Sequence, residues 1–192
     1  MTHSNIKTII NLFESRGQSQ YGGEAVSQLE HALQAALLAE QQGAPPHLIA
    51  AALLHDVGHL IHDLPEDAPD RGIDDAHELL AAQYLAKLVH HSVIAPIRLH
   101  VESKRYLCAT KAGYFEMLSQ PSIASLELQG GPMSNDELAR FEAHPAFEDA
   151  IKLRHWDDEA KVAGLPTLDL NHFIPVLEQV VISNSSINEI GN

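Results

Sequence analysis

Ala51-Ala-Leu-Leu-His-Asp-Val-Gly-His59 reads as the end of a buried helix whose character turns abruptly polar. Leu48, Ile49, Ala52, Leu53 and Leu54 are apolar at near-helical spacing, and Gly58 is the expected stop. An adjacent His55 and Asp56 at such an end can face one cavity. Imidazole nitrogen suits borderline transition metals, and a carboxylate can bridge two of them. His59 follows His55 by four residues, so it shares that face if the helix runs on for another turn. A solvated surface pair is the plain alternative, and the apolar run leading into the pair speaks against it.

The surrounding chain has 192 residues, enough for one substantial core, and a single domain over 1–192 is expected. Its core spans about residues 6–182, and 183–192 read as a polar, frayed tail. A net charge of -14 makes nucleic acid and anionic membrane surfaces poor partners. The lone cysteine, Cys108, excludes an internal disulfide and a thiolate-rich metal site. Nothing near Met1 resembles a signal peptide and no apolar run approaches membrane-spanning length, so a cytoplasmic location with no obligate protein partner is expected. Thirteen histidines exceed the twelve Lys plus Arg, which directs attention to metal binding.

Periodicity predicts helices throughout. Ile6, Ile9, Ile10 and Phe13 form one stripe, closed near Gly17, and Gln18 to Gly23 form a loop holding Tyr21. Ser27-Gln-Leu-Glu30 is a capping box opening a helix to about Gln42, with His31 in its first turns. Pro45-Pro46 opens the helix that ends at His55-Asp56. Residues 62–75 hold two prolines and a glycine, and seven acids when the count runs on to Glu78. They read as an exposed loop leading into a helix from Asp74 to about Leu88, with His77 in its first turn. Ser92 is the expected cap of a helix carrying His100, Lys104 and Leu107. Short helical pieces at 111–118 and 122–129 are split by Pro121, and Ser134-Asn-Asp-Glu137 is a second capping box. Helices over 147–161 and 173–181 complete an all-α chain, with no phosphate loop and no nucleophile elbow.

The order His31 … His55-Asp56 … His77 … His100 … Asp157 is the pattern of the HD superfamily of metal-dependent helical proteins. Four histidines and two aspartates exceed what one metal needs, and Asp56 is placed to bridge two. Lys104 lies four residues after His100 and Arg154 three before Asp157, so both cations share helix faces with candidate ligands and could hold an anion there.

Longer segments narrow the resemblance. Tyr21-Gly-Gly-Glu24-Ala-Val-Ser-Gln28-Leu-Glu-His31, His55-Asp56-x-Gly-His59, His100-x-x-x-Lys104-Arg-Tyr-Leu, Leu128-Gln-Gly-Gly-Pro-Met133 and Arg154-His-Trp-Asp157 resemble the organophosphonate-cleaving HD-domain oxygenases. These are relatives of myo-inositol oxygenase, and the similarity covers roughly residues 6 to 165. It implies an HD-domain helical bundle with a mixed-valent pair of iron ions, Fe(II)/Fe(III), in its core. One iron would take His31, His55 and Asp157 and the other His77 and His100, with Asp56 bridging. O2 and a 1-hydroxyalkylphosphonate would be the substrates, and carbon–phosphorus cleavage would yield phosphate and a carboxylic acid. The resemblance places Lys104, Arg154, His59, Gln28 and a serine on the substrate, Ser122 aligning best with Ser125 close by. Tyr21 and Glu24 match a pair that covers the open iron position before substrate arrives.

The same nitrogen and oxygen donors would also serve an HD-type phosphohydrolase that activates a metal-bound water. A catalytically silent metal-binding module would leave Lys104 and Arg154 without a task. The family's substrates carry cationic head groups, and the acids Asp63 to Asp75 are expected near the entrance, where they would attract one. With aromatics at 5%, carboxylates rather than an aromatic cage would supply that recognition, which favours the trimethylammonio substrate and glycine betaine as product over the amino substrate and glycine.

Overall fold

The computed structural model describes residues 2–62, 64 and 72–183. The expected acids Asp63, Glu66, Asp67 and Asp70, and the tail from 184, lie outside the described residues. Among the described residues every regular element is helical, as the periodicity predicts.

The central element is α3 (Pro46–Leu54), in which every residue from Leu48 to Leu54 is buried. A helix apolar on all sides needs partners all round. Those partners are α2 (Gln28–Gln41), α6 (His91–Thr110), α10 (Phe147–Glu159) and α11 (Ile174–Val180), while α1 (Thr2–Arg16) packs Ile6, Ile9 and Phe13 into the same core. Both capping boxes form. Ser27 Oγ accepts from the Glu30 amide at 3.2 Å while Glu30 accepts from the Ser27 amide at 2.7 Å, and Ser134 opens α9 (Asn135–Glu142) in the same way.

The helix carrying the opening stretch ends earlier than expected, and Gly58 is not its stop. The chain breaks at His55-Asp56 and resumes as the short α4 (Val57–Ile61), with Gly58 inside it. A Cβ on Gly58 would stand 2.0 Å from the carbonyl oxygen of His77. The glycine is there because α4 crosses the start of α5 (His77–Leu85) with backbone nearly touching backbone. His59 therefore leaves the face of His55 but lands beside His77.

Two further boundaries shift. α5 begins at His77 rather than Asp74, because Ala76 adopts a left-handed φ of 48° and the Asp74 and Asp75 side chains accept from the amides two residues on. His90, not Ser92, precedes α6, since Val89 bridges to Val181 and the His90 amide donates to the Val180 carbonyl at 2.8 Å, pinning the helix start upstream.

α7 (Tyr114–Met117), α8 (Gln120–Leu128) and α9 form satellite clusters beside α6 and α10. Here the Lys104-Arg-Tyr-Leu and Gln129-Gly-Gly-Pro-Met segments meet. Arg105 donates from Nε to the Gly131 carbonyl at 2.8 Å and pairs with Glu137 at 2.7 Å. Their specificity is largely that of a clamp holding α8 and α9 against α6.

Candidate metal centre and its cavity

Six residues from separate elements converge in the core. His31 comes from the first turn of α2, His55 from the end of α3, Asp56 from the start of α4, His77 from the start of α5, His100 from mid-α6 and Asp157 from the last turn of α10. All six are buried. They form two groups around Asp56: His31, His55 and Asp157 on one side, His77 and His100 on the other.

Each histidine is held through Nδ1. The oxygens facing those nitrogens are the Ala160 carbonyl for His31 (2.8 Å), the Ala52 carbonyl for His55 (2.9 Å), the Ile97 carbonyl for His100 (2.6 Å) and Asp75 Oδ1 for His77 (2.8 Å). An oxygen acceptor requires the proton on Nδ1, which leaves Nε2 of each ring, when neutral, as a lone pair. Those lone pairs face one another: the Nε2 atoms of His31 and His55 lie 3.1 Å apart, as do those of His77 and His100.

Asp56 lies between the pairs. Oδ2 is 3.3 Å from His55 Nε2 and 3.5 Å from His31 Nε2, while Oδ1 is 3.4 Å from His100 Nε2 and 3.5 Å from His77 Nε2. Both oxygens, and Asp157 Oδ1, are buried without a hydrogen-bond donor among the described residues. An unsatisfied buried polar atom typically costs about 1–3 kcal/mol. Nitrogen pairs facing each other across orphaned carboxylate oxygens lack positive charge, and two adjacent cations would supply it. The residues fit a di-metal site.

The electrostatics carry the same message. Burial opposes the ionisation of Asp56, but His55, His100 and His31 hold its pKa well below the usual carboxylate range. Burial would lower the pKa of His55, yet Asp56 and Asp157 raise it to about 10. In the absence of a metal a proton on His55 does part of a cation's work, and metal binding would release it.

Beside this cluster opens a cavity of about 470 Å³. Its wall includes the candidate ligands His77, His100 and Asp157 together with Tyr21, Glu24, His59, Lys104, Ser122, Ser125 and Arg154. Lys104 donates to Ser125 Oγ at 2.7 Å and to the Ser122 carbonyl at 3.3 Å. Burial and the neighbouring Arg154 charge lower its pKa to about 7. Arg154 pairs through Nη1 with Asp157 Oδ2 at 2.7 Å, through Nη2 with Asp158, and donates from Nε to Tyr114 Oη at 3.1 Å.

Tyr21 and Glu24 sit on a tight turn that Gly22 and Gly23 make possible, with φ of 45° and 80°. The Tyr21 ring stacks on His31 at 3.9 Å, and one Glu24 oxygen is buried without a partner. Gln28 is set apart from the other residues named for the substrate. It lies buried in the first turn of α2 and is not among the residues lining the cavity.

Three residues escaped sequence reasoning. Lys161 lines the cavity, donates to Ser122 Oγ at 3.2 Å and approaches Asp157 Oδ1 at 3.9 Å. The i+4 spacing that picked out Lys104 from His100 also relates Lys161 to Asp157. Asp75, counted among loop acids, contacts two of the site's histidines. Gln129 lines the cavity with an unpartnered Oε1, and no signal in its segment separates it from the clamp residues that follow.

A helical core presenting His and His-Asp groups from successive helices defines the HD class, and residues 29–139 match the HD domain family. The chain is 42% identical over 176 residues to a [1-hydroxy-2-(trimethylamino)ethyl]phosphonate dioxygenase (glycine-betaine-forming) of Leisingera caerulea, covering 92% of this chain and 90% of the relative. It is 46% identical over 169 residues to a hydroxymethylphosphonate dioxygenase of Gimesia maris, covering 88% and 84%. An uncharacterised protein of Acanthamoeba polyphaga mimivirus is 40% identical over 172 residues, covering 88% and 78%. The chain belongs to the HD-domain oxygenases that cleave organophosphonates.

Proposed function

We propose that this chain uses a mixed-valent Fe(II)/Fe(III) pair and O2 to cleave the C–P bond of a 1-hydroxyalkylphosphonate with a cationic head group. The leading substrate is (R)-1-hydroxy-2-(trimethylammonio)ethylphosphonate, giving glycine betaine and phosphate. The next is 2-amino-1-hydroxyethylphosphonate, giving glycine and phosphate. Both atoms of O2 enter products: one carbon and one phosphorus each gain an oxygen as the bond between them breaks, and one proton is released. The observation that carries this reading is Asp56, set between two histidine pairs beside a cavity that also holds Lys104 and Arg154.

In this reading His31, His55, Asp56 and Asp157 would hold one iron, and Asp56, His77 and His100 would hold its neighbour. When bound, the iron pair supplies the activation of O2. The chain's other residues bind and orient. Lys104 and Arg154 take the phosphonate charge, with Ser122 or Ser125 and His59 as hydrogen-bonding partners. Tyr21 covers the site until substrate arrives. One oxygen of Glu24 faces no donor among the described residues, which suits a cationic head group. Among the described lining residues Tyr21 is the one ring besides the histidines, so recognition of that head group falls mainly to carboxylates.

The test is anaerobic incubation of iron-loaded enzyme with a panel of 1-hydroxyphosphonates carrying trimethylammonio, amino and uncharged groups, followed by admission of O2. Phosphate and the matching carboxylic acid should appear in equal amounts and only after O2. Hydrolysis of phosphate esters with Mn(II) or Mg(II) and no O2 would establish the phosphohydrolase instead. Equal turnover of hydroxymethylphosphonate, which the Gimesia maris relative is named for, would remove the cationic head group from the proposal.

A further inference from the structure

Asp75 immediately precedes the left-handed Ala76 and turns its carboxylate back beneath the start of α5. Each of its oxygens is occupied. Oδ1 lies 2.8 Å from His77 Nδ1 and accepts the His77 amide at 3.2 Å. Oδ2 lies 2.8 Å from His59 Nδ1 and 3.3 Å from His62 Nε2. The Leu64 amide donates to His62 Nδ1 at 3.2 Å, so the proton of His62 is on Nε2 and points to Asp75. The rings of His59 and His77 stack at 4.1 Å, a contact made possible by the close crossing at Gly58.

One carboxylate thus receives a ring that faces Asp56 and a ring that lines the cavity. In both, an Nδ1–H on Asp75 leaves Nε2 as the working nitrogen. We infer that Asp75 is a positioning residue that fixes the tautomer and orientation of His77 and His59 together, tying cation affinity at the His77–His100 pair to phosphonate affinity in the cavity. The inference rests on the function proposed above for those two rings.

The physical consequence is specific. Alanine at position 75 removes both acceptors at once. Each Nδ1–H then loses the oxygen that holds it, and both rings are free to turn or to change tautomer. For His77 that allows a proton onto Nε2, where the cation would sit. Loss of a carboxylate that orients a metal-bound histidine typically weakens metal binding about 10–100-fold.

The experiment titrates metal-free Asp75→Ala protein anaerobically with Fe(II), then measures kcat and KM of the loaded enzyme on the trimethylammonio substrate. One of the two Fe(II) affinities should fall about 10–100-fold while the other stays at the parent value. KM should rise more than kcat falls. In a His59→Ala background Asp75→Ala should still weaken Fe(II) binding but should add nothing to KM, which a merely structural defect would not reproduce. Parent-like Fe(II) affinities, or an equal rise in KM in both backgrounds, overturns the inference. Should the Ala protein not fold, Asp75→Glu keeps the charge but alters the span, and unchanged Fe(II) affinities there overturn it equally. The titration needs no turnover, so failure of the oxygenase reading leaves it intact, and parent turnover with unperturbed Asp75→Ala affinities sinks this inference alone.

Discussion

Arg154 and Asp157 are joined by a contact of 2.7 Å from Nη1 to Oδ2, one helical turn apart on α10, and this pairing turns Asp157 Oδ1 toward His31 Nε2 at 3.5 Å. A cation of the cavity thereby orients a carboxylate of the metal cluster. Burial would push the Asp157 pKa up, but Arg154 and Lys161 hold it well below the usual range. Both residues are almost fully buried, and a half-broken buried pair is far more costly than the intact one.

The two cavity cations, Lys104 and Arg154, should therefore behave differently. A charge-assisted contact is worth about 1.5–3 kcal/mol, so Lys104→Ala should lose roughly ten- to hundredfold in kcat/KM with metal content unchanged. Arg154→Ala should lose at least as much and also bind less metal, because Asp157 is released. Arg154→Lys should not restore activity, since a point charge cannot reproduce the fork. Kinetics paired with metal analysis on the three variants decides the matter; normal metal content in Arg154→Ala would disconnect the residue from the cluster.

Asp56→Ala should abolish the dinuclear centre. Its two oxygens serve different histidine pairs, and the nearest other cluster carboxylate, Asp157, reaches only the His31–His55 side. Metal analysis should give fewer than two ions per chain and turnover should vanish. A variant that keeps both ions and full activity would refute the bridging role.

Lys104 supplies a pH dependence. Its pKa of about 7 in the free protein means the ammonium is present below that pH and lost above it. With the charged form holding the phosphonate, as proposed above, kcat/KM should fall as pH rises through about 7. Arginine stays charged, so Lys104→Arg should lack that limb. The ratio of the two profiles cancels the substrate's own ionisation, and a flat ratio would show that Lys104 does not titrate there.

Gly58→Ala tests the crossing of α4 and α5. The added methyl group would overlap the His77 carbonyl, with a separation of 2.0 Å. Overpacking of this kind costs typically 1–3 kcal/mol, and in a chain of this size about 1 kcal/mol shifts Tm by roughly 2–4 °C. A lower Tm and weaker metal binding are both expected, because the methyl group displaces the backbone that positions His77. A thermal melt indistinguishable from the parent would show that the crossing is soft.

The residue order alone determined a good deal. Apolar spacing and two capping boxes made the chain all-α, since those signals depend on neighbours three and four residues apart. The order of His31, His55, Asp56, His77, His100 and Asp157 picked out the residues that converge, because their chemistry is unusual at any buried position. Tertiary structure decided what depends on contacts between distant segments. Gly58 looked like a helix stop because a sequence does not show which backbone will cross it. Asp75 looked like the last of a run of entrance acids, because only the left-handed turn at Ala76 folds its carboxylate under His59 and His77. The paired nitrogens and the orphaned oxygens of Asp56 belong to the fold as well, since five helices must be packed before those atoms come within reach of one another.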